Sequence, residues 1–154
     1  MASIPSFLKT LQGVLNISTQ AIPCDFKFPR ETSEYNACSF TLENKNIIYR
    51  KAKLTPKKVG LFVAIWERDE DGQTRPYSND DDFDFLLIDI DSPSIKGFFL
   101  YPKNTLIELN IISSEQTQGK RGMRVYPTAE DNMNKQATKT YKSHLPYFHT
   151  VENN

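Results

Sequence analysis

An acid on one strand, followed by a second acid two residues before a lysine on the next strand, is a pattern that can do phosphate chemistry. Carboxylates so placed hold Mg²⁺, and the lysine positions water and the charged phosphate. In this chain Asp84 stands in an apolar run and Lys103 follows the next such run. The residue two before Lys103 is Tyr101, where the pattern needs its second acid. Tyrosine is a poor Mg²⁺ ligand beside a carboxylate. Glu34, after the first helix, adds a carboxylate from outside the strands. The pattern is therefore present but broken. It names Glu34, Asp84 and Lys103 as the candidate catalytic residues of a nuclease with Mg²⁺ as cofactor. The plain alternative is that Asp84 belongs to an acidic loop, Lys103 starts a helix, and no cofactor is needed.

Two further segments suit phosphate without chemistry. Gly119-Lys120-Arg121-Gly122-Met123-Arg124 is a basic loop between glycines, and backbone amides beside guanidinium groups bind anions. It also leads into a strand whose outer face is simply charged. The larger basic block holds Arg50, Lys51, Lys53, Lys57 and Lys58, with Tyr49 and Trp66 nearby. Those rings either stack on bases or fill the core, and Trp66 is expected in the core. Arg50, Lys53, Lys57, Arg121 and Arg124 are the candidate phosphate contacts. His144 and His149 come late in the chain and are expected at the surface. Cys24 and Cys38 have no partner at metal-ligand spacing and are expected as thiols. No Gly-rich phosphate loop, paired-Cys motif or Ser-centred elbow is present.

The charges that would serve these sites are sorted along the chain. The net charge of the 154 residues is zero. Between Lys45 and Arg68 seven cations meet one anion, and between Asp69 and Asp91 nine anions meet one cation. From Gly119 to Lys142 six cations face Glu130 and Asp131. Such blocks are solvated faces or patches for a charged partner. Hydrophobic residues make up 38% and aromatics 12%, the balance of one globular domain over 1–154 with a β-containing core. No apolar run approaches the roughly 18–20 residues of a membrane span. The start has no basic region before an apolar one, so no secretory signal is read. The expected setting is the cytoplasm, with no membrane partner and no small-molecule cofactor.

The elements that must position these residues follow from periodicity. Residues 3–17 recur apolar at helical steps, with Ser3 as N-cap. Residues 21–30 hold Pro23 and Pro29 and read as an extended connector. Strands are expected at 39–43 and 46–52, paired as a hairpin about Asn44-Lys45. The strongest strand is expected at 60–68, apolar on both faces and central in a sheet. Further strands are expected at 83–90, 97–101 and 122–126, and a short helix at 103–112. Residues 113–120 read as a mobile loop. Thr128 is expected to cap a last helix with Met133, Ala137, Thr140, Tyr141 and Leu145 inward. The whole predicts a mixed α/β fold, a central sheet flanked by helices.

Several blocks together also resemble a known family. They are Glu34-Tyr35, the run Arg50-Lys51-Ala52-Lys53-Leu54-Thr55-Pro56-Lys57-Lys58-Val59-Gly60-Leu61-Phe62-Val63, then Trp66-Glu67-Arg68. Gly97-Phe98-Phe99-Leu100-Tyr101-Pro102-Lys103 and Gly119-Lys120-Arg121-Gly122-Met123-Arg124-Val125-Tyr126-Pro127 continue it. In this order they resemble the bacterial MepB-like proteins over roughly residues 30–148. The resemblance implies a restriction-endonuclease-like α/β fold and contact with DNA or RNA. Tyr101 sets it against catalysis. The leading expectation is a nucleic-acid-binding domain on a degenerate nuclease-like fold. A divalent-metal nuclease is the first alternative. The second is a protein-interaction module, in which the acidic 69–91 stretch meets a basic partner.

Overall fold

The computed structural model describes residues 4–29 and 35–151. Helix α1, Ile4–Leu15, comes first. Phe7 and Leu11, one turn apart, are fully buried, so the predicted apolar stripe faces inward. The helix stops where Asn16 turns left-handed at φ 55°. Its expected N-cap, Ser3, lies outside the described residues. The expected connector contains a strand, β1 (Cys24–Lys27). Next come β2 (Cys38–Leu42) and β3 (Lys45–Lys51), the predicted hairpin. Its two-residue turn is Glu43-Asn44, one position earlier than expected, with φ 46° and 67°. Paired positive φ values are what a tight hairpin's twist demands.

The chain then leaves this sheet and makes β4 (Lys53–Leu54), β5 (Leu61–Ala64), β6 (Trp66–Arg68) and β7 (Thr74–Pro76). It returns as β8 (Phe85–Asp91) and β9 (Lys96–Pro102), followed by helix α2 (Lys103–Glu108). Strand β10 (Gly122–Val125), helix α3 (Lys135–His144), a 3₁₀ turn at Leu145–Tyr147 and β11 (Phe148–Thr150) complete it. The main sheet has six strands in the order β1-β2-β3-β8-β9-β11. Only β3 and β8 run parallel, because the satellite strands carry the chain back across the sheet between them.

The predicted central strand at 60–68 is the chief correction. It breaks into β5, the middle of a separate sheet β10-β5-β4, and β6, which among the described residues pairs with β7 alone. Leu61, Val63 and Ile65 are buried while Phe62, Ala64 and Trp66 are half-buried. That is the period-two pattern of a strand with one inward face, not a strand covered on both. The helix-flanked expectation changes accordingly. The fold is mixed α/β with strands in the majority. α1 covers one face of the main sheet through Phe7, Leu11, Phe40, Tyr49 and Phe98. The other face is roofed chiefly by the small sheet, where Leu61, Val63 and Val125 meet Ile48, Ile88 and Tyr101.

The last helix also differs. Its N-cap is Asn134, whose side chain accepts from the Ala137 amide at 2.8 Å, and Thr128 is exposed. Ala137 and His144 face inward, whereas Leu145 is exposed. The 113–120 loop, read as mobile, is tied down by backbone bonds from Ser113 to Tyr77 at 2.7 Å and from Lys120 to Ile111 at 2.9 Å. Among the described residues no helix is long and apolar enough to cross a membrane.

Candidate nucleic-acid interface

The small sheet presents a row of three side chains. Phe62 on β5 is the register partner of Lys53 on β4 and of Arg124 on β10. Partners across a ladder point to the same side, so a cation flanks the ring on each hand. Gly122 makes the row possible: a Cβ there would sit 2.5 Å from the Phe62 ring. Tyr35 meets Phe62 edge-on at 6.3 Å, and the Lys53 ammonium lies 5.8 Å from the Tyr35 ring centroid. A basic and aromatic surface of this kind suits a phosphate chain carrying bases.

Arg124 also has a local task. Its Nε donates to the Val59 carbonyl at 3.0 Å, and its Nη2 to Thr55 Oγ1 at 2.6 Å and to the Gly60 carbonyl at 3.2 Å. These bonds clamp the turn that carries the exposed Lys57 and Lys58. Arg121 is exposed and reaches β7, where its Nη2 donates to the Thr74 carbonyl at 3.2 Å.

Arg50 departs from its expected place. It is 7% exposed rather than displayed on the surface. The alternation of β3 turns it under the small sheet, where its guanidinium donates to the Tyr49 carbonyl and to the Tyr77 hydroxyl, each at 2.8 Å. Burial pushes the Tyr77 phenol up, with Arg50 opposing. Tyr49 is core, as one of its two readings had it, but Trp66 is only half-buried, with the Arg68 guanidinium 5.2 Å over its ring.

The broken catalytic pattern becomes an actual corner. The Lys103 amide donates to the Asp84 carbonyl at 3.0 Å, so the two candidates are backbone neighbours where β8 begins and β9 ends. Their functional ends are engaged elsewhere. The Asp84 carboxylate accepts from the Asn46 amide at 2.8 Å. The Lys103 ammonium donates to the Asp81 carbonyl and lies 4.9 Å from the Phe83 ring centroid. Glu34 lies outside the described residues. Among those described, no group of three His, Cys, Asp or Glu residues is placed to hold a metal ion.

Tyr101, at the vacant acid position, is fully buried, and its hydroxyl is 2.8 Å from His144 Nδ1. This overturns the surface expectation for His144, which is 7% exposed. Burial, helped by the charge of Lys120, lowers its pKa from 6.5 to about 4. With the imidazole neutral, one of the two groups donates and the other accepts, so the pair fills the place with a satisfied polar contact. The signal for it was helical: Ala137, Tyr141 and His144 share one face of α3.

Much of the acidic stretch serves local structure. Asp81 grips Arg75 with both oxygens, at 2.8 and 3.0 Å, and Glu67 binds the same guanidinium. Burial works to raise Asp81, but the hydrogen bonds from Arg75 and the Ser78 amide outweigh it and hold the carboxyl below its usual range. Asp69 accepts from the amides of Asp71 and Gln73 in the β6–β7 turn. Asp89 is buried and accepts from the Tyr49 hydroxyl at 2.6 Å.

Comparison with known proteins adds to this geometry. A family model described as MepB-like matches residues 29–150. The crystal structure of MepB superposes with a TM-score of 0.79 at 29% identity, over 96% of this chain and 97% of that one. A bacterial homing endonuclease superposes with a TM-score of 0.40 at 12% identity, over 88% and 80% of the two chains, too loosely to carry weight. No curated protein matches the chain.

Proposed function

The chain belongs to the MepB-like family, and from that premise we propose that it is a nucleic-acid-binding domain on a nuclease-like fold without an intact catalytic motif. The observation that carries this reading is the in-register row Lys53–Phe62–Arg124 beside the clamped Lys57 turn. Cations spaced by a ring offer charge to phosphates and a stacking surface to bases at once. Lys53, Lys57, Arg121 and Arg124 carry the electrostatic part. Arg50 supports the same region from beneath. No net charge steers DNA or RNA from afar, so binding depends on this local patch.

Four phosphate contacts set a scale. Counterion release predicts that affinity for duplex falls by about 10²-fold between 50 and 200 mM salt. Fluorescence anisotropy of labelled DNA and RNA across that range measures it. Affinity that does not move with salt sinks the reading.

The nuclease alternative has one observation in its favour, the backbone union of Asp84 and Lys103. Incubation of DNA and RNA with Mg²⁺ or Mn²⁺ decides it. Cleavage that is abolished by Asp84→Asn would establish that corner as catalytic, and its absence leaves the corner structural.

A further inference from the structure

A cleft of about 460 Å³ opens beside the small sheet, lined among others by Lys27, Tyr35, Arg50, Trp66, Arg68 and Tyr77. That volume lies in the range of small-ligand sites, which also combine apolar walls with a few convergent polar groups. Here the walls are aromatic, Arg50, Lys27 and Arg68 supply cations, and the one carboxylate among the described lining residues, Glu67, is bound to Arg75. Arg50 closes the floor, its charge 5.7 Å from the Tyr77 ring centroid. Tyr77 Oη accepts from Arg50, which leaves its own hydrogen to donate.

We infer that this cleft receives one unstacked base of a single-stranded nucleic acid, with the flanking phosphates at Lys27 and Arg68. The inference rests on the nucleic-acid reading above and names its substrate form. Three observations bear on it. First, indole and phenol rings are sequence-tolerant partners for a base face, and a base in a duplex is not free to use them. Second, the cleft is continuous with the basic row: Tyr35 lines it and also meets Phe62 and Lys53. Third, the opposite end is more acidic. An adjoining compartment of about 310 Å³ shares Lys27, Glu67 and Tyr77 but brings in Asp25, Asp81 and Asp82. Like charge repels a strand there, so the strand leaves the cleft across the small sheet toward Lys53 and Lys57.

Trp66 is the chain's single tryptophan, so the cleft carries its own reporter. The protein is titrated with a 12-nucleotide single strand, the matching duplex, an abasic strand of equal length and a mixture of mononucleotides. The expected result is quenching of Trp66 by the single strand, which binds at least tenfold tighter than the duplex or the abasic strand. Trp66→Leu, read by anisotropy of labelled strand, loses on the order of tenfold. Tyr77→Phe keeps the ring, removes the donor along with an acceptor of Arg50, and loses several-fold with an unfolding curve that stays cooperative, which covers a poorly folded Trp66→Leu. Single and abasic strands that bind alike without quenching overturn the cleft while leaving the nucleic-acid reading standing. Mononucleotides that bind as tightly as the strand overturn its assignment to a polymer. Absence of all salt-dependent binding overturns both readings.

Discussion

His144 and Tyr101 meet across 43 residues of sequence, and their pairing has a measurable consequence. The folded-state pKa of His144 is about 4, against 6.5 for the exposed ring. The unfolded chain therefore takes up a proton first on acidification. Stability from the buried neutral ring is full above about pH 6.5, falls as pH drops through the window, and is gone near pH 4. The slope is about 1.4 kcal/mol per pH unit, and the whole effect is about 3 kcal/mol. Urea unfolding at pH 7.0 and 5.0 measures it. His144→Gln keeps a polar partner for Tyr101 without titrating and is expected to flatten this limb. An equal acid loss in that variant would move the effect to another group. At this scale the sequence was partly readable. Tyr101 stood out as a missing acid, and Asp84 and Lys103 did converge through their backbones. What filled the vacancy came from a helix late in the chain, and Arg50's burial depended on which side of β3 the small sheet would land.

Elements were legible where periodicity was clean. The β2–β3 hairpin, β8, β9, α1 and β10 fall close to their expected places: β2 and β10 alternate buried and half-buried, α1 turns one stripe inward, and the continuous apolar runs of β8 and β9 are buried on both faces. The strand expected at 60–68 failed for a physical reason. A continuous apolar run does not say whether both faces are covered, and here Phe62 and Ala64 point outward to the candidate interface. Gly60 starts that element with φ 81°, and a Cβ there would lie 2.6 Å from the Tyr126 ring and 2.8 Å from the Val125 carbonyl. Gly60→Ala is thus expected to cost at least about 1–2 kcal/mol from the left-handed backbone alone, with the clash added to it. Thermal unfolding of the variant checks this. A Tm equal to the parent's would mean that the β4–β5 turn is free to rebuild. Because Arg124 clamps the same turn, Arg124→Ala should also loosen the Lys57 and Lys58 display, seen as faster amide exchange over 55–60.

Over the whole molecule, a neutral total conceals a division of labour between charges. Acids of the 69–91 stretch close turns and hold Arg75: Asp69 binds amides of the β6–β7 turn and Asp81 grips the Arg75 guanidinium. The sequence showed the sorting but not the convergence, since Lys53 and Arg124 lie 71 positions apart and meet only because β5 takes both as neighbours. This arrangement separates two kinds of variant. On the proposed nucleic-acid reading, Lys53→Gln and Lys57→Gln each remove a phosphate contact, so each should lower the slope of log K against log salt by about 0.9 on duplex or 0.7 on single strand, and together by twice that. Neither touches the core, since both side chains are exposed, so the unfolding midpoint should stay within about 0.5 kcal/mol of the parent. Asp84→Asn provides the contrast. It removes a carboxylate that binds a backbone amide at the sheet's end, so it should leave the salt slope intact and lower stability by about 1 kcal/mol. Binding isotherms at four salt concentrations, with an unfolding curve for each variant, separate the two effects. A slope that changes in Asp84→Asn but not in the lysine variants would move the binding surface from the small sheet to the Asp84–Lys103 corner.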